Sequence, residues 1–247
     1  MLGWPAAVRS LLAALAWRVG LLPEADLPSG WTAPAPALAS HAVVAVVAVV
    51  LLALPWPALG VRITVIVLAY HLGMFLVGRT VWGQGWGRAW LVLAPLSVLM
   101  VAPDWFLSAE LGTLSFPDTG APFIGTVPVF MAGMWVMALF PLVLVAGWLE
   151  GRFGSRAGLT GSAIAGGLLF WAAERLAPLV PLWEPTQTDT VGGIAAYVLP
   201  AEVMLSAAGW LLVRDSLWRS RPVAAVAVLA LPVAYTGVLV LGWQFIS

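Results

Sequence analysis

Seven apolar runs, each long enough to cross the hydrocarbon core of a bilayer, leave this chain few folds to choose from. They fall near residues 37–54, 61–79, 88–107, 123–148, 159–182, 192–213 and 222–245. A membrane helix needs about 20 predominantly apolar residues. Backbone groups in lipid must find their partners inside the segment, so runs of this length read as helices. The expected fold is therefore an all-α membrane protein with about seven transmembrane helices. Of the 247 residues, 62% are hydrophobic and only 9% charged, and the mean hydropathy is +1.00. A soluble domain carries roughly 25% charged residues, so most of this surface must face membrane lipids.

The first 36 residues differ. Their apolar stretch is interrupted by Arg9 and Arg18, while Leu11, Leu12, Leu15, Val19 and Leu22 recur near helical spacing. This pattern predicts an amphipathic helix lying in the interface, anchored by Trp4 and Trp17, in preference to a cleaved signal. A Pro-rich linker, LPSGWTAPAPALAS, follows it. The organisation expected is an interfacial helix and linker over 1–36 and a seven-helix transmembrane domain over 37–247.

The arginines set the orientation. Arg9, Arg18, Arg79, Arg88, Arg152, Arg156, Arg214, Arg219 and Arg221 all fall on one side of a seven-span arrangement. The positive-inside rule then predicts a cytoplasmic N-terminus and an external C-terminus in the cell's inner membrane. Arg62 and Arg175 are the exceptions. The acids gather at the opposite side: Asp104, Glu110, Asp118, Glu174, Glu184, Asp189 and Glu202 map to outer loops or outer helix halves. Polar chemistry is expected there.

Many functions are excluded by what is missing. The chain has no Cys and no Lys, which removes thiolate metal sites, Cys nucleophiles and a retinal Schiff base. No basic patch suits nucleic acid, and no Gly-rich phosphate loop with Lys, HExxH helix, DDxxD cluster or GxSxG elbow is present. His41 and His71 are too few for a di-iron centre, and His71, beside Tyr70, reads as a hydrogen-bonded core residue. No metal and no cofactor is expected.

The remaining chemistry is that of carboxyl groups beside an apolar chamber. A carboxylate well inside a membrane helix is costly and points to function by default. Such a group in low dielectric can hold its proton at neutral pH and deliver it to an electron-rich double bond. Aromatic faces then shelter the carbocation. Glu202, Glu174 and Glu110 are the candidate donors, with Asp118 or Asp189 positioning water. Trp135, Trp171 and Trp210, well inside their spans, either pack the core or line a chamber for an elongated ligand, together with Tyr197. Set against catalysis is a structural reading, in which Glu174 and Glu202 pair with Arg175 and Arg62 and tie helices together. Small residues on one face of the fifth run, Gly158, Ser162 and Gly166, predict close helix packing. A short echo links GTVPVFMAGMW and AAYVLPAEVML, each following an acidic outer loop, and suggests two parallel units.

Two stretches resemble membrane proteins of carotenoid biosynthesis. AELGTLSFPDTGAPFIGTVPVFMAGMW is similar to a region of the CruF-type carotenoid hydratases, through Glu110, Gly112, Pro122, Phe123, Gly125, Val127, Pro128 and Trp135. YVLPAEVML resembles the Pro-Glu-Glu motif of the small lycopene cyclases through Pro200 and Glu202, with Ala201 replacing the first Glu. The resemblance covers roughly residues 103–205. It implies a hydrophobic polyene ligand entering from the bilayer, an acid that protonates its terminal double bond, and capture of the cation by water or by ring closure. A non-enzymatic alternative is a structural or pigment-binding subunit with membrane-protein partners, which the Trp-rich surface suits equally.

Overall fold

A computed structural model describes residues 35–80, 86–216 and 221–246. The expected interfacial helix and linker over 1–36, with Trp4, Trp17, Arg9 and Arg18, lie almost wholly outside the described residues. The rest is mostly helical: α1 (Ala35–Ala53), α2 (Leu59–Thr80), α3 (Trp86–Leu99), α4 (Val101–Trp105), α5 (Met131–Phe153), α6 (Ser155–Leu176), α7 (Val198–Ser216) and α8 (Arg221–Ile246). A π-helical turn, Phe106–Glu110, extends α4, so α3 and α4 run on as a 25-residue apolar segment to Glu110. Among the described residues, four segments, Leu59–Leu76, Trp86–Glu110, Met131–Phe153 and Pro222–Ile246, are long and apolar enough to cross a membrane.

Helices α3, α5, α6, α7 and α8 pack around one core that includes Leu93, Leu96, Leu139, Phe140, Leu205 and Trp210. The α1–α2 hairpin lies at its edge. There Gly133 lets α5 approach α2 so closely that a Cβ would overlap Val67, and the Gly133 carbonyl lies 3.0 Å from His71 Nε2. His41 Nε2 lies 2.9 Å from the Tyr70 hydroxyl. Both histidines are thus engaged in helix packing. The small-residue face of α6 sits where expected: Gly158, Ser162 and Gly166 are buried, and the Ser162 hydroxyl donates to the Ser206 carbonyl on α7 at 2.8 Å.

The largest departure from the sequence reading is at the starts of the fourth and sixth spans. Residues 123–128 and 190–195 are not helix but tight hairpins. In one, β2 (Phe123–Ile124) pairs antiparallel with β3 (Val127–Pro128); in the other, β5 (Thr190–Val191) pairs with β6 (Ile194–Ala195). Two-residue hairpins need positive φ in their turns. Gly125 supplies +62°, and Gly192 and Gly193 supply +62° and +81°. These glycines sit inside apolar runs, which is why the runs looked continuous. Pro128 accordingly belongs to a strand, and Pro200 lies in the first turn of α7, where its missing N–H breaks no helical bond. Pro95, Pro141 and Pro232 are internal to helices.

The echo between the two connections is architectural. Each runs from a helix through a two-residue strand and a hairpin into the next helix. The leading strands, β1 (Leu114–Ser115) and β4 (Glu184–Pro185), pair antiparallel with Leu114 opposite Pro185 and Ser115 opposite Glu184. That register is what a local two-fold between the units produces. The correspondence sets Val127–Pro128 against Ile194–Ala195, not against Leu199–Pro200 as sequence similarity suggested. Under it, Asp104 and Glu174 each lie ten residues before their strand, and Trp135 and Glu202 are each the fifth residue of the following helix.

Candidate functional site

Beneath the β1–β4 ribbon lies a cavity of about 280 Å³. Its wall comes from both units and from α8: Asp104 and Leu107; Thr113, Leu114 and Phe116; Met131, Met134, Trp135, Met137 and Ala138; Phe170, Ala173 and Glu174; Trp183, Pro185, Ala195, Tyr197, Val198 and Glu202; and Tyr235. The surface is mostly apolar, broken by three carboxyl groups and three hydroxyls. No Arg or His is among these lining residues.

Two of the carboxyls are held by indoles. Trp135 Nε1 donates to Asp104 Oδ2 at 3.1 Å, and Trp183 Nε1 donates to Glu174 Oε1 at 3.0 Å. Glu202 differs: it is 3% exposed, and its Oε2 is buried with no hydrogen-bond partner. Glu202 holds the fifth position of α7, as Trp135 holds that of α5. The Tyr197 hydroxyl donates to Thr113 Oγ1 at 2.7 Å and so ties α7 to the ribbon. Around Trp135 stand Phe170 and Tyr235, with ring centroids 5.7 and 5.8 Å from its own.

The residues singled out from sequence therefore separate into two groups. Glu174, Glu202, Trp135 and Tyr197 come together on the cavity. Glu110 and Asp118 do not: both are exposed, and Asp118 Oδ1 accepts the Gly120 N–H at 2.9 Å in a loop turn. Trp171 points outward from α6, 53% exposed. Trp210 is buried far along α7, where its Nε1 donates to Glu150 Oε2 at 3.2 Å. Asp189 is exposed and borders a separate polar depression with Gln187, Thr188, Trp243 and Gln244.

The counter-ion expectation also needs correcting. Arg62 Nη1 donates to the carbonyls of Leu51, Leu52 and Leu54, capping the end of α1, where the last carbonyls lack helical partners. Arg175 is exposed, with Nη1 beside the Gly192–Gly193 turn. The buried ion pair lies elsewhere, between Arg214 Nε and Glu150 Oε1 at 2.7 Å. Asp104, Trp183, Phe170 and Tyr235 were missed as site residues. Asp104 carried a usable signal, a carboxylate inside a membrane-length run, the same rule that flagged Glu202. Tyr235 had none, because α8 reads as uniformly apolar. Among the described residues, no group of three or more His, Cys, Asp or Glu is arranged to hold a metal ion.

A family model, described as a domain of unknown function (DUF6989), matches residues 101–246. That is more than half of the chain. The protein belongs to the DUF6989 family. The DUF6989 match begins just before Asp104 and takes in all the elements that line the cavity, while α1, α2 and α3 precede it. No curated protein and no solved structure matches the chain.

Proposed function

We propose that this is an inner-membrane protein of seven spans, N-terminus cytoplasmic and C-terminus external, that performs acid-initiated hydration or cyclisation of a carotenoid or other isoprenoid. The observation that carries the reading is the convergence of Asp104, Glu174 and Glu202 on one cavity whose other walls are apolar and aromatic. At about 280 Å³ it lies near the small end of ligand pockets, roughly 300–1,000 Å³. It suits the reacting end of a chain, with the remainder lying in the bilayer.

Glu202 Oε2 is the proposed proton donor, because it is buried on the cavity without a hydrogen-bond partner. Its proton adds to one carbon of a terminal double bond, the π pair forms the new C–H bond, and a tertiary carbocation remains. The faces of Trp135, Phe170 and Tyr235 are placed to stabilise that charge. In ring closure a second double bond supplies the electron pair for a C–C bond, and a neighbouring C–H proton returns to a carboxylate; the net change is isomerisation. In hydration a water oxygen forms the C–O bond and loses its proton to a carboxylate. Asp104 and Glu174, oriented by their indoles, are the proposed acceptors. Asp118 and Asp189 drop out of the scheme because they lie off the cavity.

Expression of the full chain in membranes supplied with lycopene or γ-carotene tests this. The wild-type protein is expected to form a hydrated or cyclised product, and Glu202→Gln to reduce the rate by about 10²–10⁴-fold, the usual range for a lost general acid. Equal conversion by Glu202→Gln would remove Glu202 from the mechanism. No conversion by either protein, with a hydrophobic pigment and further subunits copurifying at fixed stoichiometry, would favour the non-catalytic subunit reading.

A further inference from the structure

The cavity gathers three carboxyl groups with no basic side chain on its lining. Asp104 and Glu202 are 4% and 3% exposed, and Glu174 lines the cavity with them. Arg175, next to Glu174 in sequence, is exposed with Nη1 beside the Gly192–Gly193 turn; Arg62 caps α1, and Arg214 pairs with Glu150. A buried carboxylate is stabilised by a counter-charge with good geometry, and among the described residues none lines this cavity. The lining also carries Trp135, with Phe170 and Tyr235 packed around it. Carboxyl groups and aromatic rings gathered in one cavity are the two elements that recognise an alkylated ammonium. Glu202 Oε2 adds the independent sign of an unfilled place, being buried and without a partner.

We propose that the cavity is a binding site for a lipophilic ammonium ion, a protonated tertiary amine carried on an isoprenoid or alkyl chain. The nitrogen sits among Asp104, Glu174 and Glu202 and against the Trp135 face; the chain runs along Met131, Met134 and Met137, whose flexible thioethers adapt to an irregular apolar partner. This site shares the cavity with the reaction proposed above but does not depend on it. Where that reaction does occur, the ammonium mimics the carbocation and blocks turnover.

The test uses the full chain in detergent, titrated with N,N-dimethylfarnesylamine and with the uncharged farnesyl methyl ether, following intrinsic Trp fluorescence and thermal midpoint. The amine is expected to bind about tenfold or more tighter than the ether, the difference a desolvated cation–π and carboxylate site provides. Glu202→Gln is expected to remove most of that preference, whereas Glu110→Gln, on the exposed surface, leaves it intact. Equal affinity for amine and ether, or a preference lost equally in Glu110→Gln, overturns the proposal. If Glu202→Gln does not yield folded protein, Glu174→Gln and Asp104→Asn carry the same comparison, and an unchanged preference in both overturns it. Amine binding without any isoprenoid turnover sinks the proposed reaction alone, and turnover without amine preference sinks the ammonium site alone.

Discussion

Glu150 shows how differently acids in one membrane bundle can be used. Its side chain is 5% exposed, its Oε1 meets Arg214 Nε at 2.7 Å, and its Oε2 accepts from Trp210. This is the ion pair that sequence reading assigned to Glu174 and Glu202, displaced to the other end of α5 and α7. Removing one member of such a pair strands the other charge in apolar surroundings and costs about 3–5 kcal/mol. Glu150→Gln is therefore expected to lower the thermal midpoint sharply. The double change Glu150→Leu with Arg214→Met, which removes both charges, is expected to recover most of that loss. A double variant as unstable as the single one would show that the cluster does more than neutralise itself. At this scale the sequence was half legible. The cost of burial flagged Glu202 correctly as a residue needing explanation, but that cost does not say which partner relieves it. Partner choice depends on helix rotation, and nothing in an apolar run fixes the rotation.

At the scale of elements, two helices hold the acids of the second unit in place. Glu174 ends α6 and Glu202 begins α7, and their separation is set by the contact at Gly166, where a Cβ would overlap the Ser206 side chain. Gly166→Ala must push α6 and α7 apart, an overpacking cost of roughly 1–3 kcal/mol. Turnover or amine binding should fall with it, because the cavity wall moves. Gly73, on α2, is the matched control, since an added Cβ there meets nothing within 4 Å. Gly73→Ala should stabilise slightly, by about 0.5–1 kcal/mol, through lost backbone freedom in the unfolded chain. A melting comparison of the two variants checks both signs. The small-residue spacing of α6 made this contact readable in advance. The hairpins were not readable, because Phe123–Pro128 and Thr190–Ala195 are as apolar as the helices they precede. Hydropathy measures what lipid or core will accept. It does not distinguish a buried two-residue turn from a first helical turn.

For the whole molecule, the distinction that matters is between the four helices that, among the described residues, qualify as spans by length and hydropathy and the seven spans proposed above. Helices α6 and α7 fall among the less apolar, but they carry Glu174, Glu202, Ser162 and Ser206, which face other protein instead of lipid. A helix sealed inside a bundle can afford polar groups that a lipid-exposed helix cannot. The outward face of α6 remains apolar, with Ile164, Leu168 and Trp171 exposed. If α6 and α7 cross the bilayer, the α5–α6 turn and the hairpin before α7 must lie on opposite sides, with the cavity near the outer one. The absence of Cys makes this directly measurable. Arg156→Cys, exposed near the start of α6, and Asp189→Cys, exposed just before the β5–β6 hairpin, each introduce a single thiol. A membrane-impermeant maleimide applied to intact spheroplasts is expected to label Asp189→Cys at once and Arg156→Cys only after the membrane is opened. Labelling of both from outside would place α6 on one face of the bilayer and leave its acid exposed to water. The cavity would then open to bulk solvent, and a carbocation formed there would have no protection from indiscriminate capture.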